Sequence, residues 1–93
     1  MASRTVAIGS SSGLHARPAK LFVEAATAAA AEVHIGTAGR RPVPARSLLA
    51  VLALGAKHGV EVTLTADGPE ADGVLDELAA MLQRDLDAEP SDG

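Results

Sequence analysis

Several residue types are absent or nearly absent from this chain of 93 residues. It has no cysteine, which excludes disulfides and thiolate chemistry and fits a reducing compartment. It has no tryptophan, no tyrosine and one phenylalanine, so it lacks an aromatic platform on which single-stranded nucleic acid could stack. No apolar run approaches the roughly 20 residues that span a bilayer, and the first residues lack the apolar core of a signal peptide. We therefore expect a cytoplasmic protein that binds neither nucleic acid nor membrane.

The composition that remains is that of a small folded domain. The hydrophobic fraction of 47% argues against disorder. We expect one domain over residues 1–93, with an ordered core over about 3–87 and a frayed tail at 88–93. Residues 1–66 carry seven basic and three acidic side chains, whereas residues 67–93 carry one basic and nine acidic side chains. A basic part of this size suits an acidic protein or a phosphate as its partner.

Alternation of apolar and polar residues predicts the strands. It is visible around 6–8 and 33–35 and is clearest in VEVTLTA, residues 60–66. Pro42 and Pro44 cannot donate to a ladder, so the segment between the second and last of these strands is an edge strand at best.

Spacing of 3.6 residues predicts three helices. The first begins near Ala16, because Pro18 is tolerated in the first turn of a helix. The second has Ser47 as its N-cap and Gly55 as its stop, and the third begins at about Pro69 and carries a leucine stripe. The order β-α-β-β-α-β-α indicates an α+β fold in which helices cover one face of a single sheet. Periodicity leaves the strand order open.

The stretch GLHARPA, residues 13–19, places His15 at the mouth of the first helix. The backbone N–H groups of Ala16 and Arg17 then point outwards and form an anion site. The Arg17 guanidinium can reach the oxygens of a bound phosphoryl group. A neutral, exposed imidazole beside such a site suits transient phosphorylation.

Other interpretations of these residues compete with that one. A histidine near a helix end is often an ordinary surface residue. His34 and His58 are distant in sequence and show no paired ligand spacing, so we expect no metal site. Ser12 as a nucleophile with His15 as its base lacks an orienting acid nearby in sequence. We instead expect Ser12, or the loop around it, to supply the oxygen that caps the helix. The residues alone indicate a phosphate or anion site.

Three stretches together resemble a known family. GLHARPA, then SLLAVLALGA about thirty residues on, then GVEVTLTADG are similar to the histidine-containing phosphocarriers (HPr) of the bacterial phosphoenolpyruvate:sugar phosphotransferase system (PTS). The resemblance runs from about Arg4 to Leu86. It implies an open-faced β-sandwich with a four-stranded antiparallel sheet in the order 1-4-2-3 and three helices on one face. It also implies that His15 accepts a phosphoryl group at Nδ1, with Arg17 as its phosphoryl partner.

The resemblance further assigns partners and a docking surface. Enzyme I would be the donor and EIIA domains the acceptors, with Leu48, Leu49 and Leu52 as the apolar docking patch. Ser47 matches a serine that many Gram-positive members phosphorylate, which admits an HPr kinase/phosphorylase and transcriptional regulators as further partners. We expect a monomer without a cofactor that carries phosphate stoichiometrically rather than turning over a substrate of its own.

Two alternatives stay open. The chain could be a paralogue in a nitrogen-type or fructose-specific phosphorelay, which genome neighbours would distinguish. It could instead be a regulatory interaction module acting through Ser47 and the leucine patch, although the presence of His15 argues against this. The chain also departs from enteric members, because Glu24 and Thr27 stand where those carry lysine and TAGRRPVP is one residue longer.

Overall fold

A computed structural model describes residues 2–11 and 13–84 of the chain. The elements follow the predicted order: β1 (Ala2–Ala7), α1 (Ala16–Ala28), β2 (Val33–Thr37), β3 (Val43–Pro44), α2 (Leu48–Leu54), β4 (Glu61–Ala66) and α3 (Ala71–Gln83). The frayed tail predicted at 88–93 and the end of the predicted ordered core lie outside the described residues. Within those residues, no helix has the length and apolar character needed to cross a membrane.

The four strands form one antiparallel sheet in the order β1-β4-β2-β3, which confirms the expected fold class. β4 lies in the middle, pairing with β1 from Ala2↔Ala66 to Ala7↔Glu61 and with β2 from Val33↔Ala66 to Thr37↔Val62. β3 is reduced to two residues at the edge, as expected from its prolines. The sheet therefore depends on its last strand in sequence.

One face of the sheet is covered by the helices and the other is open. Alternate residues of β4, such as Val62 and Leu64, are fully buried. Their neighbours point to the open face, where the exposed hydroxyls of Thr5 and Thr63 lie 3.1 Å apart. The covered face packs against a core that includes Phe22 of α1 and Leu75 of α3.

The third helix begins later than its sequence pattern predicts. The N-cap is Glu70 and the first helical residue is Ala71, two residues after Pro69. The backbone N–H of Ala71 donates to the carbonyl of Gly68 at 3.2 Å, which closes a turn around Pro69. The proline's fixed φ therefore serves this turn and not the first turn of the helix.

A surface cluster joins the basic first strand to the acidic third helix. The Arg4 guanidinium donates from Nε to Asp76 at 2.8 Å and from Nη2 to Asp72 at 3.2 Å. These hydrogen bonds, first that to Asp76 and then that to Asp72, raise the pKa of Arg4 above its usual value. The opposite charges of the two parts of the chain thus meet across β1 and α3.

Candidate functional site

His15 is the N-cap residue of α1. Its backbone is extended, with φ −146° and ψ 157°, and its side chain is exposed and makes no capping hydrogen bond. The chain turns into the helix immediately after it, and Pro18 lies buried in the first turn. The imidazole is therefore presented to solvent at the end of α1 where the helix dipole is positive.

The loop that carries His15 is fixed to the segment after α2. The backbone N–H of Leu14 donates to the carbonyl of Ala56 at 2.7 Å, and the Leu14 side chain is 2% exposed. The N–H of Gly13 donates to the carbonyl of Ser10 at 2.9 Å. Gly13 has a φ of +79°, and a Cβ added there would lie 2.7 Å from the Ala56 oxygen and 2.8 Å from the Lys57 Cα. The loop thus requires glycine at position 13 for both its conformation and its close contact.

Gly13→Ala is expected to lower the free energy of unfolding by about 2 kcal/mol, because the left-handed conformation alone costs a residue with a Cβ roughly 1–2 kcal/mol and the contact with Ala56 adds to this. Chemical denaturation with a linear extrapolation measures the change. Gly39→Ala is the matched control, since Gly39 has a φ of +80° but nothing lies within 4 Å of its added Cβ. Equal losses in the two variants would show that the contact with residues 56–57 does not constrain the loop.

The first turn of α1 has the features of an anion site. The first N–H groups of a helix have no carbonyl partner within the helix, and here they belong to Ala16 and Arg17 among others. This turn contains no acidic residue, whose carboxylate would compete with a bound anion for the positive end of the helix dipole. The Arg17 side chain is exposed in the same turn. A phosphoryl group on His15 would meet backbone donors and a guanidinium together.

The short helix α2 carries the predicted apolar residues on two different faces. Leu49 is 81% exposed and Leu48 is 40% exposed, whereas Leu52 is half-buried and packs against the core. Val51 and Leu54 are buried and hold the helix to the sheet. We name Leu48, Leu49 and Leu52 the leucine patch. Neighbouring large apolar side chains that remain exposed together on one short helix are typical of a binding surface.

Ser47 is the N-cap of α2, as the sequence predicts. Its half-buried side-chain oxygen accepts a hydrogen bond from the backbone N–H of Ala50 at 3.2 Å. This capping role alone accounts for a serine at this position. Regulation through Ser47 stays a prediction.

The helices α1 and α2 run antiparallel, as the contacts at their two ends show. Ala56, which follows the end of α2, binds the loop of His15 through Leu14. At the opposite end, the Arg46 guanidinium donates to the carbonyls of Ala26 and Ala29, both at 3.5 Å, where α1 finishes. Ser47 thus lies at the end of α2 away from the His15 loop, and Leu52 lies nearer to that loop.

His58 contacts the loop that carries His15, although no sequence pattern links the two histidines. Its Nδ1 is 3.2 Å from the carbonyl oxygen of Ser10, in the loop that carries His15. The two residues are 48 positions apart, so their contact arises from the turn that brings residues 56–60 under the loop. Within residues 2–11 and 13–84, no three histidine or acidic side chains come together as a set that could hold a metal ion.

A cleft of about 620 Å³ lies between α1 and α3, with Ala25, Ala29, Val74 and Glu77 on its walls. Neither His15 nor Arg17 is among the residues that line it. His15 is exposed at the end of a helix, where the active site of another protein can reach its imidazole. The geometry therefore favours exchange of a group between macromolecules.

Comparison with known proteins bears on this interpretation. Residues 2–84 match the family described as PTS HPr component phosphorylation site. The phosphocarrier protein HPr of Streptomyces coelicolor is 47% identical over 90 residues, which cover 97% of each chain. HPr of Haloferax volcanii is 46% identical over 80 residues, which cover 85% of this chain and 90% of that protein. The crystal structure of HPr-C-His from Thermoanaerobacter tengcongensis is similar with a TM-score of 0.86 and 29% identity, covering 97% of this chain and 100% of that one.

The family match spans nearly all of the described chain, and the relatives align over most of their own length. The relatives from Streptomyces coelicolor and Haloferax volcanii are both named phosphocarrier proteins. The solved relative has the fold described above. The chain therefore belongs to the HPr family of phosphocarriers of the phosphotransferase system.

Proposed function

We propose that His15 accepts a phosphoryl group at Nδ1 from phosphorylated enzyme I and passes it to EIIA domains. The observation that carries this proposal is the position of His15, which is exposed as the N-cap residue of α1 at the positive end of its dipole. The protein would be a stoichiometric carrier, because the exposed imidazole itself receives the phosphoryl group and then gives it up to the next protein.

The transfer conserves the number of phosphorus–nitrogen bonds. With its proton on Nε2, a neutral imidazole has a lone pair on Nδ1 that attacks the phosphorus of the donor phosphohistidine. The donor's phosphorus–nitrogen bond breaks, and its electron pair returns to the donor ring. In the second transfer, from His15 to EIIA, the phosphorus–nitrogen bond at His15 breaks and a new one forms on the acceptor.

The first turn of α1 would stabilise the transferred group electrostatically. In phosphoryl transfer the negative charge is spread over the three peripheral oxygens. Backbone N–H groups of Ala16 and Arg17 and the planar guanidinium of Arg17 are donors suited to those oxygens. Donors directed at different oxygens can stabilise this charge where it develops in the transition state.

The leucine patch is the proposed docking surface for both enzyme I and EIIA. A carrier must bind two partners in succession and leave each of them, which requires a contact of modest area with an apolar centre. Leu49, with its side chain almost fully exposed, fits that centre without any rearrangement. We propose further that the chain acts as a single-domain monomer in the cytoplasm, where phosphoenolpyruvate is available to enzyme I.

Incubation with enzyme I, Mg²⁺ and phosphoenolpyruvate tests the proposal directly. We expect intact mass spectrometry to show the gain of one phosphoryl group, lost on mild acid treatment as expected for a phosphohistidine. Addition of an EIIA domain should return the chain to its original mass, and the class of EIIA that does so separates a sugar relay from a nitrogen-type relay. No gain of mass, with an enzyme I that phosphorylates another HPr in the same assay, would contradict the proposal.

A further inference from the structure

The hydrogen bond between His58 and Ser10 has a fixed direction. A carbonyl oxygen can only accept, so the His58 ring must carry a proton on Nδ1 for the 3.2 Å contact with the Ser10 oxygen to be a hydrogen bond. The same oxygen accepts the backbone N–H of Gly13 at 2.9 Å. One carbonyl thus joins His58 to the glycine two residues before His15.

The backbone around His58 supports this contact from both sides. The N–H of Gly59 donates to the carbonyl of Ile8 at 2.8 Å, and the N–H of Ile8 donates to the carbonyl of Val60 at 3.0 Å. These bonds continue the pairing of β1 with β4 and hold the turn at 57–60 against the start of the loop. The backbone of His58 is therefore held where its side chain reaches the Ser10 carbonyl.

The N–H of Gly9 donates to the carbonyl of Leu82 at 2.8 Å, and a Cβ at Gly9 would collide with the Gln83 carbonyl. The start of the loop is thus held against the end of α3. Between this anchor and Leu14, the His58 side chain contacts the loop at the Ser10 carbonyl.

We propose that His58 is a positioning residue for phosphoryl transfer, which acts by donating its Nδ1–H to the Ser10 carbonyl and so fixes the loop that presents His15. This inference rests on the proposed function of His15. A loop that moves by a fraction of an ångström changes the approach of Nδ1 of His15 to the donor phosphorus, and transfer rates depend steeply on that alignment. His58 touches neither phosphate nor partner in this role.

Two readouts that need no phosphorylation test the contact itself. Long-range ¹H–¹⁵N spectra of the parent protein at pH 8 should show neutral His58 as the Nδ1–H tautomer, because the hydrogen bond selects the tautomer. Amide hydrogen exchange of Gly13 should be faster in His58→Ala than in the parent. His58 found as the Nε2–H tautomer, or an unchanged Gly13 exchange rate, would overturn the proposal whatever the activity of the protein.

Transfer kinetics then test the consequence. At saturating enzyme I, His58→Ala should accept phosphate about two- to tenfold more slowly, the factor that corresponds to one hydrogen bond of ordinary net strength. The enzyme I concentration for half-maximal rate should not change. His58→Asn, whose amide nitrogen lies where Nδ1 does, should restore most of the rate, whereas His58→Gln should not. His34→Ala, on the open face of the sheet, is the control and should match the parent.

The outcomes separate the two proposals. A parent protein that accepts no phosphate refutes the function of His15, while the tautomer and exchange data still judge the contact of His58. Equal rates for parent, His58→Ala and His58→Asn would overturn the positioning role, as would an Ala variant whose loss Asn fails to restore. Far-ultraviolet circular dichroism and thermal unfolding establish that each variant is folded.

Discussion

His15→Ala is expected to abolish the gain of phosphoryl mass from enzyme I and phosphoenolpyruvate. The imidazole is the group that forms the phosphorus–nitrogen bond in the proposed reaction, and alanine offers no replacement lone pair. The other donors of the site, the N–H groups of α1 and the Arg17 guanidinium, can bind phosphate but cannot be covalently phosphorylated in its place. Intact mass after incubation, compared with the parent under identical conditions, is the measurement.

The same substitution should leave the fold almost unchanged. His15 is exposed and makes no capping hydrogen bond through its side chain, so its replacement costs little packing or capping energy. We expect the free energy of unfolding to change by less than about 0.5 kcal/mol. His34→Ala serves as the matched histidine control and should accept phosphate like the parent. An alanine variant at position 15 that still gains the phosphoryl mass would show that the site is elsewhere.

Leu49→Glu is expected to weaken the binding of enzyme I by about 2–4 kcal/mol, or roughly 30- to 700-fold in Kd, if Leu49 lies at the centre of the contact. A carboxylate there would have to lose its water in an apolar interface without a partner for its charge. Titration calorimetry with unphosphorylated enzyme I measures the change. The effect should fall on affinity, since the His15 loop is anchored independently through Leu14 and Ala56.

Two comparisons separate docking from folding and from charge. Leu49 is 81% exposed, so its glutamate variant should unfold within about 0.5 kcal/mol of the parent, as surface substitutions do. Ala80→Glu adds the same charge at an exposed position on α3 and should leave enzyme I affinity unaltered. If folded Leu49→Glu binds as tightly as the parent, α2 is not the docking face.

The ends of the second helix can be predicted from its local sequence, but the exposure of its leucines cannot. Ser47 and Gly55 mark its ends in the sequence, and the structure has them as N-cap and C-cap. The apolar run between them could not show which leucines are exposed. That division depends on how α2 is turned toward the sheet, where Val51 and Leu54 are buried and Leu52 is only half-buried. Orientation about the helix axis is a tertiary property, and a helix of two turns has too few residues to reveal it.

The third helix shows where a local rule was wrong. Pro69 is compatible both with the first turn of a helix and with position two of a turn. The turn from Gly68 to Ala71 was formed instead, which moved the start of α3 to Ala71. The local sequence permits both the turn and the earlier helix start, and packing selects between them. Here Ala71 is buried at the start of the helix.

The contact of His58 could not have been predicted from spacing. Its partner is a backbone carbonyl, which every residue has, so no residue type at position 10 signals it. The contact exists because the turn after α2 is held under the loop by strand pairing between distant segments. GLHARPA identifies the chemical group, whereas the support of that group comes from parts of the chain that share no motif with it.

The central position of β4 also determines when the sheet can form during synthesis of the chain. β1 is an edge strand of the described sheet whose neighbour is β4, so residues 2–7 find their partner only when residues 61–66 have been made. During synthesis from the N-terminus, α1 and His15 emerge from the ribosome early but without the segment that fixes their loop. Closing this long stretch of chain slows folding relative to a protein with local contacts. The loop that presents His15 therefore reaches its final position late, when β4 joins the sheet.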